Sequence, residues 1–94
     1  MTRINLETRI KRKEGLIEGN VDNEVLLLSI DSGKYYGLDD IGTRIWEMLG
    51  KPMKIVDIVA VLQKEYNVDE QICREETLEY LDELLLNEII SIDK

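Results

Sequence analysis

Residues 31–49 read Asp-Ser-Gly-Lys-Tyr-Tyr-Gly-Leu-Asp-Asp-Ile-Gly-Thr-Arg-Ile-Trp-Glu-Met-Leu, and this stretch decides the fold. Asp31-Ser32-Gly33 suits a three-residue hairpin loop, a type I turn followed by Gly33 in the left-handed conformation. Lys34-Tyr35-Tyr36-Gly37-Leu38 then returns as a strand with aromatic β-formers at its centre. Asp39 or Asp40 can N-cap the next segment. Ile41, Ile45, Trp46 and Leu49 recur at helical spacing, and Gly50 supplies a stop, so a helix is expected over about 40–49. Trp46, the one tryptophan, is expected to anchor the core, with a direct ligand role as the alternative.

Working outward, Glu24–Ile30 is a short apolar run bounded by turn residues, which reads as a strand. Its apolar residues point both ways, so it is expected to be central and covered on both faces. Residues 4–10 alternate, with Ile4, Leu6, Thr8 and Ile10 on one side, and read as a half-buried strand. Leu16-Ile17 could add an extended piece before a loop over 19–23. Three strands then form an antiparallel meander in which Lys34–Leu38 is an open edge. Downstream, Ile55, Ile58, Val59 and Leu62 mark a second helix from near Lys54 to about Tyr66. Asp69 caps a third over about 69–87. On a helical projection Thr77, Leu78, Leu81, Leu84 and Leu85 share one face, Glu75, Glu76, Glu79, Asp82 and Glu83 the opposite one. Cys73 and Tyr80 lie on a shoulder between them. Ile89–Ile92 is a short closing strand or an extended tail. The expected class is α+β: a three-stranded antiparallel sheet followed by three helices, in an order like a winged helix-turn-helix, as one domain over 1–94.

The formal net charge is −8 and unevenly placed. Residues 1–20 hold five basic and three acidic side chains; residues 21–94 hold seven and seventeen, a net of −10. Such a surface repels nucleic acid and anionic lipid and attracts a basic peptide; solubility alone is the plainer reading. No apolar run approaches the roughly 20 residues of a membrane span. The first residues lack a signal peptide's apolar region, and the one cysteine cannot form an internal disulfide. A cytoplasmic setting is therefore expected.

The chemistry is sparse. There is no histidine, so the commonest general base and metal ligand is missing. Cys73 has no thiol partner for zinc, and Gly33, Gly37 and Gly42 match no phosphate-binding loop. The acids of the third helix lack the pattern of a calcium loop. A protein without catalytic activity, metal or cofactor is expected.

Several elements then stand in a telling order: Val25–Ile30; Gly33-Lys34-Tyr35-Tyr36-Gly37-Leu38; Asp39-Asp40-Ile41-Gly42; Ile45-Trp46-Glu47-Met48-Leu49; Ile55–Val59; Tyr66-Asn67-Val68; Leu81–Leu85; and Ile89-Ile90. In these, from Glu24 onward, the sequence resembles the pyrroloquinoline quinone biosynthesis protein D family. Its members include leader-peptide recognition domains of ribosomally made, post-translationally modified peptide pathways. The specific part is Tyr-x-Leu-[Asn/Asp]-x-x-Gly-x-x-Ile-Trp at 36–46. Asp39 stands where asparagine is commoner in the family and can cap a helix equally; the first 20 residues match weakly.

The resemblance implies a precursor's leader peptide added as a strand to the returning strand, in a groove against the third helix. The free-standing form looks like the lasso-peptide version, whose partners are a transglutaminase-like leader protease and an ATP-dependent cyclase. A leader chaperone for a radical-SAM enzyme is the alternative, and a winged-helix DNA-binding protein a remote one, since Arg74 is the third helix's only basic residue. The expected peptide site is the backbone edge at Lys34, Tyr35, Tyr36 and Gly37, with Cys73, Thr77, Tyr80, Leu81 and Leu84 as the opposite wall. The mirror side of the helix, with Leu78 and Leu85, is the other choice. Asp69, Glu70 and Glu76 would steer a basic leader. Neither nucleic acid nor membrane is expected as a partner, and the chain is expected as a monomer or an edge-strand dimer.

Overall fold

The computed structural model describes residues 4–94. Its strands are β1 (Arg9–Arg12), β2 (Leu16–Val21), β3 (Glu24–Ser29), β4 (Tyr35–Gly37), β5 (Met53–Lys54) and β6 (Ile90–Ile92). Its helices are α1 (Asp40–Met48), α2 (Ile55–Tyr66) and α3 (Glu70–Leu86). The class is α+β, and a three-stranded antiparallel sheet precedes the three helices, in the order β2-β3-β4. A second small sheet, β5-β1-β6, gathers the N-terminal, inter-helix and C-terminal strands.

Strand membership differs from the sequence reading in one respect. The meander's first strand is β2, and the alternating segment 4–10 contributes only Arg9 and Ile10, to the other sheet. The cause is local. Asn5 Oδ1 accepts from Glu7 N at 2.8 Å, and Thr8 Oγ1 accepts from Asn5 N at 2.9 Å, so the segment turns on its own side chains. Its carbonyls are then spent on α2. Lys54, the N-cap of that helix, makes no side-chain cap bond, and Leu6 and Thr8 carbonyls accept instead from Val56 and Ile55 N–H at 2.8 and 2.9 Å. β2 runs through residues expected as loop because Asp22 and Asn23 both take positive φ, 51° and 70°, the geometry of a two-residue hairpin turn.

The second hairpin turns at the expected place, but its loop has four residues, Ile30 to Gly33, rather than three, because Ser29 pairs with Lys34 and Gly33 N donates back to Ser29 O at 2.9 Å. Gly33 has φ +71°, and Ser29 N donates to Lys34 O at 2.9 Å. Asp39 caps α1, accepting from Gly42 N at 2.8 Å; Asp69 caps α3, accepting from Ile72 N at 3.2 Å; Asn67 ends α2 in the left-handed region.

The core lies between the β2-β3-β4 sheet and the helices. Val25, Leu27 and Leu38 meet Ile45, Ile58, Leu62, Leu81 and Leu84 there. Only one face of β3 is buried: Leu26 and Leu28 point to the other face, beside Ile17, Val21 and Tyr35, and no element covers it. Expected cover on both faces is therefore absent among the described residues. Trp46 is a core residue. Its indole donates to Glu18 Oε1 at 2.8 Å, and the Arg12 guanidinium stacks 4.5 Å from its ring centre. Helix α1 is thereby tied to β1 and β2.

Thr43 ties α1 to the end of β4. Its hydroxyl accepts from Val25 N at 3.0 Å and donates to Leu38 O at 3.3 Å, standing between two backbone groups that would otherwise pair directly. A Thr43→Val substitution keeps the shape but leaves both buried groups without a partner. It is expected to cost about 1–3 kcal/mol of unfolding free energy in urea melts, with Thr43→Ser costing less.

Candidate functional site

Backbone geometry picks out β4. In an antiparallel pair, alternate residues turn their N–H and C=O toward the neighbouring strand. Ser29 N bonds Lys34 O and Leu38 N bonds Val25 O, both at 2.9 Å, so positions 34, 36 and 38 face β3. Tyr35 and Gly37 face outward, and no described strand pairs with them. Side chains alternate as well. Tyr36 packs on the core, while Tyr35 stands on the uncovered face and is 68% exposed.

The flank of α3 stands beside this edge. Tyr80 Oη donates to Asp39 Oδ1 at 3.4 Å, spanning from α3 to the residue that caps α1. Gly42 makes room for it. A Cβ there would run into the Tyr80 hydroxyl and approach Leu38 Cβ at 3.2 Å. Burial pushes the Tyr80 hydroxyl's pKa far above its ordinary 10, reinforced by Asp39, Tyr36 and Glu83. Burial raises that of Tyr36 too, with Glu83 and Asp39 adding to it. Two tyrosines and two carboxylates therefore converge between β4 and α3.

Two clefts flank this cluster. One, of about 280 Å³, runs between Ser32, Lys34, Tyr35 and Tyr36 on one side and Leu86, Asn87 and Glu88 on the other. Leu86 is 76% exposed and gives it an apolar wall. The other, of about 250 Å³, is lined mainly by apolar side chains of α1, α2 and α3, with Asp39 and Glu76 at its edge.

Of the residues singled out in sequence, Cys73, Glu76, Thr77 and Tyr80 line the second cleft together. Lys34, Tyr35 and Tyr36 line the first, and Gly37 continues the same edge. Leu81 and Leu84 lie in the core, 0% and 1% exposed, and present no surface. Cys73 is likewise buried, its thiol 3.8 Å from Val59 O. Asp69 is occupied as a helix cap and Glu70 pairs with Arg74, so of the three acids named for steering only Glu76 borders a cleft. The Tyr80 shoulder of α3 is the one turned to β4; Leu78 and Leu85 pack on the core from the other side. Glu83 and Leu86 were missed. Glu83 reads in sequence as one more acid of a solvated face, and Leu86 as the end of an apolar stripe.

Among the described residues no group of three acidic or cysteine side chains is arranged to hold a metal ion. No helix is long and apolar enough to cross a membrane.

Comparison with known proteins supplies the family. Residues 24–90 match the family model of coenzyme PQQ synthesis protein D, PqqD. The solved structure of TbiB1 in complex with the TbiA(beta) leader peptide is 32% identical over 86% of this chain and 94% of that one, with a TM-score of 0.76. The PqqD truncation of Methylobacterium extorquens PqqCD, whose solution structure is described as a functional and stand-alone RiPP recognition element, shares the fold at 17% identity. The match covers 96% of both chains with a TM-score of 0.77. No curated protein matches. The chain belongs to the PqqD family.

The raised tyrosine pKa values have a consequence at high pH. Below pH 10 these hydroxyls stay protonated in folded and unfolded chains alike, so the stabilising difference is fully present. Above it the unfolded chain ionises first, and stability falls as pH rises toward the folded-state values. Tyrosinate absorbance is expected to show a component that appears only as the fold opens. Tyr80→Phe should shrink that component and raise the alkaline unfolding midpoint.

Proposed function

We propose that the chain, as one domain over 1–94, is a non-catalytic adaptor that binds the leader of a ribosomally made precursor peptide and delivers it to processing enzymes. The observation that carries this is the open β4 edge beside the Tyr80–Glu83 flank of α3. The leader adds as a fourth strand, pairing with the outward N–H and C=O of Tyr35 and Gly37. Alternate leader side chains then enter the clefts along α3, meeting Tyr36, Tyr80 and Leu86. A leader-bound relative of 32% identity supports the same reading.

Glu76, Glu79 and Glu83 line the exposed flank of α3 and favour a basic leader, mostly through its rate of association, which salt weakens. The processing enzymes implied by the family resemblance are a transglutaminase-like leader protease and an ATP-dependent cyclase of lasso-peptide type. DNA binding has little to work with, since Arg74, the one basic side chain of α3, is engaged by Glu70. A second copy of the chain could pair at the same edge, but a charge of −8 on each opposes it.

Isothermal titration with the synthetic leader of a precursor encoded beside this chain's gene tests the proposal. Saturable binding, weakened by salt, is expected; no binding at high micromolar concentration would overturn it. Backbone alternation adds a sharper arm. Tyr35→Pro removes an outward N–H and should abolish leader binding while the domain still melts cooperatively. Tyr36→Pro removes an inward one and should destabilise the sheet itself.

A further inference from the structure

Gly37 is a strand glycine that its own fold does not require. Its backbone lies outside the left-handed region, unlike Gly33, and a Cβ built on it meets no atom within 4 Å, unlike Gly42. Glycine weakens a strand, so the free chain gains nothing from it. A strand glycine without a conformational reason commonly marks a close approach by something else.

The neighbourhood indicates what approaches. Gly19, Leu26 and Gly37 lie in register across the three strands, on the face that no helix covers. The missing side chain at Gly37 leaves a depression of about 340 Å³ beside Leu26, bordered by Val21, Asp22 and Glu24 and, at the end of β4, by Asp39. Its floor is apolar and its far rim acidic. Neither Asp22 nor Glu24 pairs with a cation among the described residues. A strand added at β4 places every second side chain on this face, away from α3, and one of them lies beside Gly37.

We propose that Gly37 determines specificity by leaving room for one long side chain of the bound peptide, apolar along its stem and basic at its end. That lysine or arginine lies across Gly37 onto Leu26 and Val21, with its charge toward Glu24 and Asp22. The inference rests on β4 being the peptide-binding edge. It adds a second recognition surface, on the sheet face opposite the α3 clefts.

The test is a double-mutant cycle by isothermal titration. Wild-type protein and Gly37→Ile are each titrated with the synthetic precursor leader and with versions carrying glycine at one position in turn. Gly37→Ile is expected to melt no lower than wild type and to bind the parent leader roughly tenfold more weakly. At one lysine or arginine of the leader, glycine should weaken wild-type binding by roughly the same factor and cost Gly37→Ile nothing further. Gly37→Ala should show the same coupling at smaller amplitude, and its failure to fold would overturn the claim that the position is free of packing. Equal binding of the parent leader by wild type and Gly37→Ile overturns the inference alone. Coupling at a residue other than lysine or arginine overturns the assigned side-chain class. A wild-type protein that binds no version overturns the peptide-edge reading and this inference with it.

Discussion

Backbone groups on the edge of a sheet must bond to something, and in this molecule the unpaired ones that matter are the N–H and C=O of Tyr35 and Gly37. Water satisfies them in the free chain; a peptide strand can replace it at little enthalpic cost. The rest of the structure holds those groups in place. The Gly33 turn sets the register at one end of β4, and the Thr43 hydroxyl closes the other by bridging Val25 N and Leu38 O. With both ends tied, a strand of three residues presents a fixed row of donors and acceptors, which lowers the ordering cost of binding.

One edge differs from the other in what stands beside it. β2 is also an edge, and its outward positions include Glu18 and Asn20. There Glu18 is already held by the indole of Trp46 and stands beside the guanidinium of Arg12. Beside β4, the Asp39–Tyr80 contact keeps the flank of α3 within reach, and Leu86 extends it as an apolar wall. Main-chain pairing supplies affinity without regard to sequence, so under the proposed strand addition selectivity comes from side-chain contacts, in the α3 clefts, on the acidic flank and in the depression beside Gly37.

Much of this was legible in the sequence because the signals were local. Asp39 and Asp69 capped the helices expected of them, Asn67 ended α2, and the Asp31-Ser32-Gly33 turn put β4 at an edge. What failed was long-range. The alternation over 4–10 is a true pattern of burial, with Ile4 and Ile10 in the core, but Asn5 and Thr8 bend the chain and α2 takes the carbonyls a strand would need. β2 is rich in polar residues and glycine, so only its pairing with β3 identifies it as a strand. On α3 the projection gave the angle of each side chain but not its depth. Tyr80 reaches the cleft, while Leu81 and Leu84 lie under it, because distance from the neighbouring layer is not contained in a helical angle.

Amide hydrogen exchange, read residue by residue with and without the synthetic leader, tests the central claim most directly. Tyr35 and Gly37 should exchange fast in the free protein and become protected when the leader binds, with Tyr36 protected in both states. Leader binding that protects Glu18 and Asn20 instead, or leaves Tyr35 and Gly37 fast, would contradict it.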